Sequence, residues 1–381
     1  MHVAMNAYFW NRPNTGSGQY IRQLVYQLNH LVADLDITLI FPQTPQDPAP
    51  NDVPPSVKVQ LHPLRPGHTG KVYFEQLDFP RLGKSTGADI AHVPYWGSPL
   101  RSPIPVVVTV HDLTTMLLRE YRRNPLARFY TALVSASARG ANHVITDSRS
   151  SKRDIITHLG IPEDDITSIY LAAGPSFRPE SEFLMDLAVK KKYQLPDDYV
   201  LYLGGYEIHK NVTTLLSAYT YVAQALGEDY PLVLAGRQPG LASGRFPNYQ
   251  AIIKQLGLEE HVVWTGYIDE EDKPAVYRGA SAFVFVSRHE GFGIPPLEAM
   301  ACGVPVITSN SSSLPEVVGD AAFTIDPDDD RQIGGSIIAT ILQADLAADM
   351  KEKGLEQAAR FSWENTASET LMVYDRVLGQ S

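Results

Sequence analysis

Glu290 and Glu298 are separated by seven residues, and between them lies GFGIPPL. The apolar run Ala282–Val286 feeds this loop, and Pro295-Pro296 stand where a helix would begin. Proline suits a first helical turn because the N–H it lacks would be unpaired there. The helix is expected to run to about Cys302 and stop at Gly303, with a new strand from Val304. A helix start of this kind offers unpaired backbone N–H groups to an anion. Neither proline can donate, so the donors are Phe292, Gly293, Ile294 and Leu297. A carboxylate at Glu298 repels a phosphate held there, yet accepts two hydrogen bonds from a cis-diol such as a ribose. Glu290 can do the same for hydroxyls on a second ring. Hydroxyl, phosphate and hydroxyl in a row outline a nucleotide sugar. The plainer alternative is an ordinary βαβ loop whose glutamates favour a helix N-terminus.

Other groups with chemistry stand at the expected ends of strands. His111-Asp112 follows the run Val106–Val110, at a strand's C-terminal end, where parallel sheets bind ligands. A lone histidine there serves structure about as often as function, and Asp112 can cap a helix. Lys210, in YLGGYEIHKNV, can neutralise a diphosphate leaving group as a point charge, with no metal ion. Gly16 and Gly18, in NTGSG before a helix expected near Gln19, let backbone approach a bound group. Ile21 stands where a third glycine would complete G-x-G-x-x-G, so a nicotinamide site is not indicated. Asp34-Leu35-Asp36 and Asp326-Pro327-Asp328 match D-x-D trivially and read as solvated loops; no metal is expected.

Strand-like runs alternating with helical patterns position these groups, which indicates parallel-sheet α/β domains. The first half carries runs at Val3–Met5, Ile37–Phe41, Val57–Leu61, Ile90–Val93, Val106–Val110 and His143–Thr146. The second carries Tyr199–Leu203, Leu232–Ala235, Val262–Thr265, Ala282–Val286 and Val304–Thr308. A chain of 381 residues accommodates two such domains. The division is 1–172 with 362–381, a linker over 173–195 that ends in a short helix, and 196–361.

A net charge of −11 argues against a nucleic-acid partner. Cys302 is the only cysteine, so no internal disulfide forms and a cytoplasmic location is expected. The start MHVAMNAYFWNRPNTGSG lacks the features of a secretory signal, and no apolar run approaches the ~20 residues of a membrane span. The basic stretch Arg119–Arg128 reads first as a solvated helix face or partner contact. Its second reading is a docking patch for anionic lipid headgroups, or for a phosphate-bearing acceptor, peripheral on the inner face of a membrane.

The string EGFGIPPLEAMACGVPV resembles the signature of glycosyltransferase family 4, retaining enzymes of the GT-B fold, and the resemblance extends over nearly the whole chain. It implies two Rossmann-like domains facing a cleft, with the C-terminal helix in Arg360–Leu378 crossing back to the first. It also implies that Glu290 and His111 grip the transferred sugar, Glu298 the ribose, and Lys210 the diphosphate. GSGQY resembles the family's GIGRY-type loop near the donor diphosphate and acceptor, and Gly266-Tyr267-Ile268 the turn that meets the base. Relatives usually read G-R-x-x-x-x-K, whereas Gly205 occupies the arginine position here; His209 or Arg237 are the candidates to compensate, and a salt-bridged surface role is the other reading of either. YLAAGPSFRP, VPYWGSPL and VVVTVHDL look most like bacterial polysaccharide mannosyltransferases. The implied activity is hexosyl transfer to a glycan or lipid-linked hydroxyl, with GDP-mannose favoured over a UDP-hexose and no further cofactor. The rival readings are a nucleotide-sugar 2-epimerase of the same fold and a catalytically inactive sugar-binding protein.

Overall fold

A computed structural model describes residues 1–32, 34–44, 49–65, 67–121, 125–181, 183–238 and 243–379, without the side chains of His68 and Arg119. The chain divides into two compact units, Met1–Leu171 with Ser362–Ser381, and Ala172–Phe361.

The first unit holds strands β1 (His2–Asn6), β2 (Asp36–Gln43), β3 (Lys58–Pro63), β4 (Ile90–Val93), β5 (Val106–Thr109), β6 (His143–Thr146) and β7 (Ile166–Ser168). All pair in parallel, in the order β3-β2-β1-β4-β5-β6-β7. Strands β4, β5 and β6 are buried throughout, as strands covered on both faces must be, which explains their unbroken apolar runs. The helix Gly16–Leu31 buries Tyr20, Ile21, Leu24, Val25 and Leu28 along one stripe. It begins earlier than expected because Thr15 caps it, Oγ1 accepting the Gly18 N–H at 3.2 Å. The C-terminal helix Trp363–Leu378 belongs to this unit and packs against Gly16–Leu31. Thr366 Oγ1 donates to the Tyr170 carbonyl at 2.7 Å, and Tyr374 shares a 2.6 Å hydrogen bond with His92.

The second unit holds β8 (Val200–Leu203), β9 (Leu232–Ala235), β10 (Val262–Gly266), β11 (Ala282–Phe285), β12 (Val306–Ser309) and β13 (Ala322–Ile325), in the order β10-β9-β8-β11-β12-β13 and again parallel. The expected linker is part of this unit, which starts at Ala172. Its helix Phe183–Lys192 packs on the helix Lys273–Arg278, and Asp186 there pairs with Arg278. Cys302 caps the helix Ile294–Ala301, 4 % exposed, with its thiol pushed up to about 12 by burial. No single helix among the described residues is long and apolar enough to cross a membrane.

In each sheet the chain reverses its direction of travel between two central strands, β1 and β4 in one and β8 and β11 in the other. Open parallel sheets bind ligands beyond the carboxyl ends of such strands.

Candidate active site

In the second unit the segments leaving β8 and β11 lie side by side. After β8 the chain forms a short 3₁₀ turn, Ile208–Lys210, and Asn211 follows in the left-handed region at φ 60°. Asparagine tolerates that conformation better than most residues. The buried Asn211 amide donates to the carbonyls of Val286, at 3.2 Å, and Pro327, at 2.6 Å. The Arg288 N–H and the Ser287 hydroxyl both donate to the His209 carbonyl, at 2.8 and 3.0 Å. The turn that carries Lys210 is thereby latched to the segment that carries Glu290. Lys210 Nζ reaches Glu290 Oε1 at 2.8 Å and Oε2 at 2.9 Å, with the two side chains only 19 % and 13 % exposed.

Ser312, from the segment after β12, clamps the Glu290 backbone from the other side. Its hydroxyl donates to the Glu290 carbonyl at 2.6 Å and lies 3.2 Å from the Glu290 N–H. Ser312 adopts φ 57°, a conformation that costs a non-glycine residue about 1–2 kcal/mol and that the clamp holds in place. Gly293, at φ 122°, brings the chain into the helix, and a Cβ there would meet Leu314 at 2.8 Å. The amides of Gly293 and Ile294 have no hydrogen-bond partner among the described residues. The Leu297 amide is not among the open donors, because it closes the first helical turn on the Gly293 carbonyl at 3.4 Å. Phe292 is buried, its ring edge-on to Phe361.

Glu298 is 5 % exposed, and Tyr277 donates its hydroxyl to Oε2 at 2.9 Å. Burial raises the carboxyl to about 7, against the opposing pull of the Lys273 charge and the Tyr277 hydrogen bond. One carboxylate oxygen is thus already shared with the protein. Tyr267 is 36 % exposed after Gly266, whose carbonyl accepts the Gly236 N–H at 2.8 Å. Beside Gly205, the place where a Cβ would stand lies 2.3 Å from Glu207 Oε2. A carboxylate occupies the spot where the resemblance expects an arginine to begin. Arg237 is exposed, and the backbone of His209 serves the latch.

In the first unit His111 follows β5, and its Nδ1 lies 2.8 Å from Asp147 Oδ2, with side chains 20 % and 4 % exposed. The register pairs Thr109 with Ile145, so His111 and Asp147 emerge side by side from adjacent parallel strands. Burial alone would push the imidazole down. The charge and hydrogen bond of Asp147, with smaller help from Asp112 and the Pro94 carbonyl, outweigh burial and raise it. Tyr20 meets the His111 ring edge-on at 5.0 Å. Asp112 Oδ1 accepts the Thr114 N–H at 2.7 Å, where the short helix Thr114–Leu117 begins, while the N-cap position itself is Leu113.

Gly16 and Gly18 lie inside the first turn of the helix Gly16–Leu31, not in a loop before it. Gly18 is fixed by internal packing, since a Cβ there would stand 2.0 Å from the Arg12 carbonyl oxygen, and its N–H is taken by Thr15. Gly16 faces open space. Of the aspartates in the two D-x-D strings, Asp36 pairs with Lys58 at 3.0 Å and Asp328 with Arg288 at 2.6 Å.

Asp147 and Tyr277, which complete the His111 and Glu298 groups, are additional to the residues that the sequence motifs single out. Asp147 carried a usable signal, an acid immediately after the run His143–Thr146. Tyr277 carried none, because its contact with Glu298 depends on how one helix packs against another.

The sequence profile described as "Glycosyl transferases group 1" matches residues 187–357, and that of "Glycosyltransferase Family 4" matches residues 15–173. The chain is 35 % identical over 269 residues to the O-antigen chain mannosyltransferase B of Escherichia coli, covering 70 % of this chain and 69 % of that protein. It is 33 % identical to an E. coli serotype-specific mannosyltransferase over 73 % of its own length, but spans only 34 % of that larger protein. Among solved structures, sucrose-phosphate synthase from Thermosynechococcus elongatus superposes with a TM-score of 0.80 at 20 % identity, covering both chains completely. A structure of Anabaena Alr3699/HepE in complex with UDP-glucose gives 0.72 at 15 % identity, covering 99 % of this chain and all of the other.

Proposed function

The chain belongs to the group 1, family 4 glycosyltransferases and is a hexosyltransferase of the GT-B fold, and we propose that it transfers mannose from GDP-mannose to a hydroxyl of a polysaccharide or lipid-linked glycan, with retention and without a metal ion. The observation that carries this reading is the Lys210–Glu290 pair beyond β8 and β11, next to the open amides of Gly293 and Ile294. This reading is supported by a cation and a helix start in the same loop cluster, which suit a diphosphate, and by carboxylates at Glu290 and Glu298, which suit hydroxyls. The names of the relatives favour mannose as the transferred sugar. Neither the epimerase nor the inactive sugar-binding reading gains support from them.

In this mechanism the donor diphosphate lies against the Gly293 and Ile294 amides and draws Lys210 toward itself. Glu290 exchanges part of its contact with Lys210 for hydroxyls of the mannose. The bond from the anomeric carbon to the diphosphate oxygen breaks, and negative charge grows on the leaving group. Lys210 and the helix start stabilise that charge, which is where transfer needs help most. The acceptor oxygen bonds to the anomeric carbon on the face the diphosphate leaves, and its proton passes to a leaving phosphate oxygen. Glu298 holds the ribose, Tyr267 adjoins the base, and Gly205 lies beside the diphosphate with no cation of its own. On the first unit, Asp147 fixes the orientation of the His111 ring, which suits a hydrogen bond to a sugar hydroxyl. Gly16 stands in the first turn of its helix with open space beside it, as an anion-binding helix start needs, and Gly18 shapes the turn behind it.

We place this work at the cytoplasmic face of a membrane. Supporting this, Leu126 and Phe129 are 78 % and 70 % exposed at the start of the helix Pro125–Arg139. Arg122, Arg123 and Asn124 of the basic stretch lie outside the described residues.

A thermal-shift screen with UDP, GDP, ADP and their sugars tests the donor. The expected result is a shift with GDP and a larger one with GDP-mannose. Stabilisation by UDP-sugars alone would overturn the GDP assignment.

A further inference from the structure

Lys71, in the helix His68–Tyr73 of the first unit, is surrounded by rings. Its Nζ lies 5.1 Å from the ring centre of Tyr8, 5.6 Å from Phe9, 5.4 Å from Tyr95 and 4.9 Å from Tyr130. It donates to the Tyr130 hydroxyl at 2.9 Å and pairs with Glu75 Oε1 at 3.4 Å. Tyr130 in turn donates to the Glu75 carboxylate, at 3.2 and 3.3 Å.

Glu75 is completely buried and belongs to a five-residue π-helical segment, Phe74–Asp78, a rare form that is frequent at functional sites. The next residue, Gln76, donates to the Ser98 carbonyl and accepts the Leu100 N–H, both at 2.9 Å. A Cβ on Gly97 would stand 2.8 Å from Glu75 Oε1 and 2.4 Å from the Tyr95 ring. The segment Tyr95–Ser98 is therefore pressed directly onto the carboxylate. Tyr8 and Phe9 follow β1, and Tyr95 and Trp96 follow β4, the two strands between which the sheet reverses order.

Among the described residues, the buried Asn6 Nδ2, Trp96 Nε1 and Ser98 Oγ of these same segments have no hydrogen-bond partner. Each such group costs about 1–3 kcal/mol, and a buried ion pair is often no more stable than apolar residues of similar size. A scaffold that needed only filling would be better served by hydrocarbon.

We propose that Lys71, Glu75 and Tyr130, with the partly exposed Trp96 ring, form a subsite for a sugar ring of the acceptor. This rests on the transferase reading above. Lys71 donates hydrogen bonds and Tyr130 and Glu75 accept them, the complement that sugar hydroxyls need, while the Arg12 guanidinium lies 4.8 Å from the Tyr8 ring centre and 5.5 Å from that of Phe9. The face of a partly exposed aromatic ring such as Trp96 suits the C–H face of a pyranose. The Lys71 side chain is 23 % exposed, so its ammonium can be reached from solvent while Glu75 holds it in place. Lys71 and Tyr130 contact the sugar, and Glu75 is a positioning residue.

The test uses the full chain with an α-linked mannobiose as probe, and the variants Lys71→Met and Tyr130→Phe. Mannobiose binding is followed without donor by ligand-observed NMR, and transfer gives KM for mannobiose and for GDP-mannose separately. Lys71→Met is expected to weaken mannobiose binding and raise its KM at least tenfold, and Tyr130→Phe severalfold. Both should leave GDP-mannose affinity and its thermal shift unchanged, which also reports that the variants are folded. Unchanged mannobiose binding and KM in both folded variants, or a rise in the GDP-mannose KM alone, would overturn the subsite. So would a wild-type protein that does not bind mannobiose. Mannobiose binding that Lys71→Met abolishes, in a wild-type protein that transfers from no nucleotide sugar, would overturn the transferase reading and leave the subsite standing.

Discussion

Lys210 meets both carboxylate oxygens of Glu290, at 2.8 and 2.9 Å, across 80 residues of sequence. The two residues assigned to diphosphate and sugar therefore neutralise each other before any donor arrives. A donor gains Lys210 only by competing with Glu290.

That competition separates two substitutions. Glu290→Gln frees Lys210 and is expected to bind GDP as tightly as the wild type or several-fold more tightly, while kcat falls by at least tenfold. Lys210→Ala removes charge that matters most as the diphosphate leaves. Its kcat is expected to drop by ~10²–10³, about 3–4 kcal/mol, with a smaller change in KM. Calorimetry with GDP and initial-rate kinetics check both. Equal losses of GDP affinity in the two variants would contradict the competition.

Glu298 gives the protein a pH dependence of defined sign. Its carboxyl lies near 7 in the folded chain against 4.5 ordinarily, so between those values the folded state holds more protons than the unfolded one. Stability contributed by this group is therefore present below about 4.5, is lost as pH rises through about 7, and is flat above. The loss is roughly 3 kcal/mol at most. Glu298→Gln should abolish this slope in urea-unfolding measurements. GDP-mannose, whose diphosphate does not titrate here, should bind more tightly as pH rises toward 7, and the same variant should remove that trend as well as weaken binding.

His111 is raised because Asp147 faces it. Stability from this contact is complete below the ordinary histidine value of 6.5 and is lost as pH rises through the higher folded value. Asp147→Asn is expected to lower the His111 midpoint, read by NMR of the imidazole, and to reduce kcat at least tenfold. An unmoved midpoint would show that the pairing does not set the charge of the ring.

Two neighbouring glycines should respond in opposite ways. Gly18→Ala places a methyl 2.0 Å from the Arg12 carbonyl oxygen, and Gly16→Ala meets nothing within 4 Å. Chemical denaturation should record a loss above about 2 kcal/mol for the first and under about 0.5 kcal/mol for the second.

What the sequence made legible follows from how local each signal is. Prolines and glycines punctuate the segment from Glu290 to Gly303, so its loop, helix and strand could be read without tertiary information. The edge strands β7 and β13 are not among the strand-like runs of the sequence: one has three residues, and the other is short and mostly only partly buried. Gly16–Gly18 read as a loop because two glycines outweigh helix propensity locally, yet the Thr15 cap starts the helix there. The partners Asp147, Tyr277 and Glu75 were invisible as partners. Each meets its counterpart only through strand order or helix packing, which residue spacing does not encode.

The most direct measurement is NMR of the product formed from GDP-α-mannose and a mannoside acceptor. A new α-mannosidic linkage, with GDP released and no metal ion added, is the expected result. A β-linkage, an epimerised nucleotide sugar formed without acceptor, or no product from a donor that binds tightly would contradict retaining mannosyl transfer.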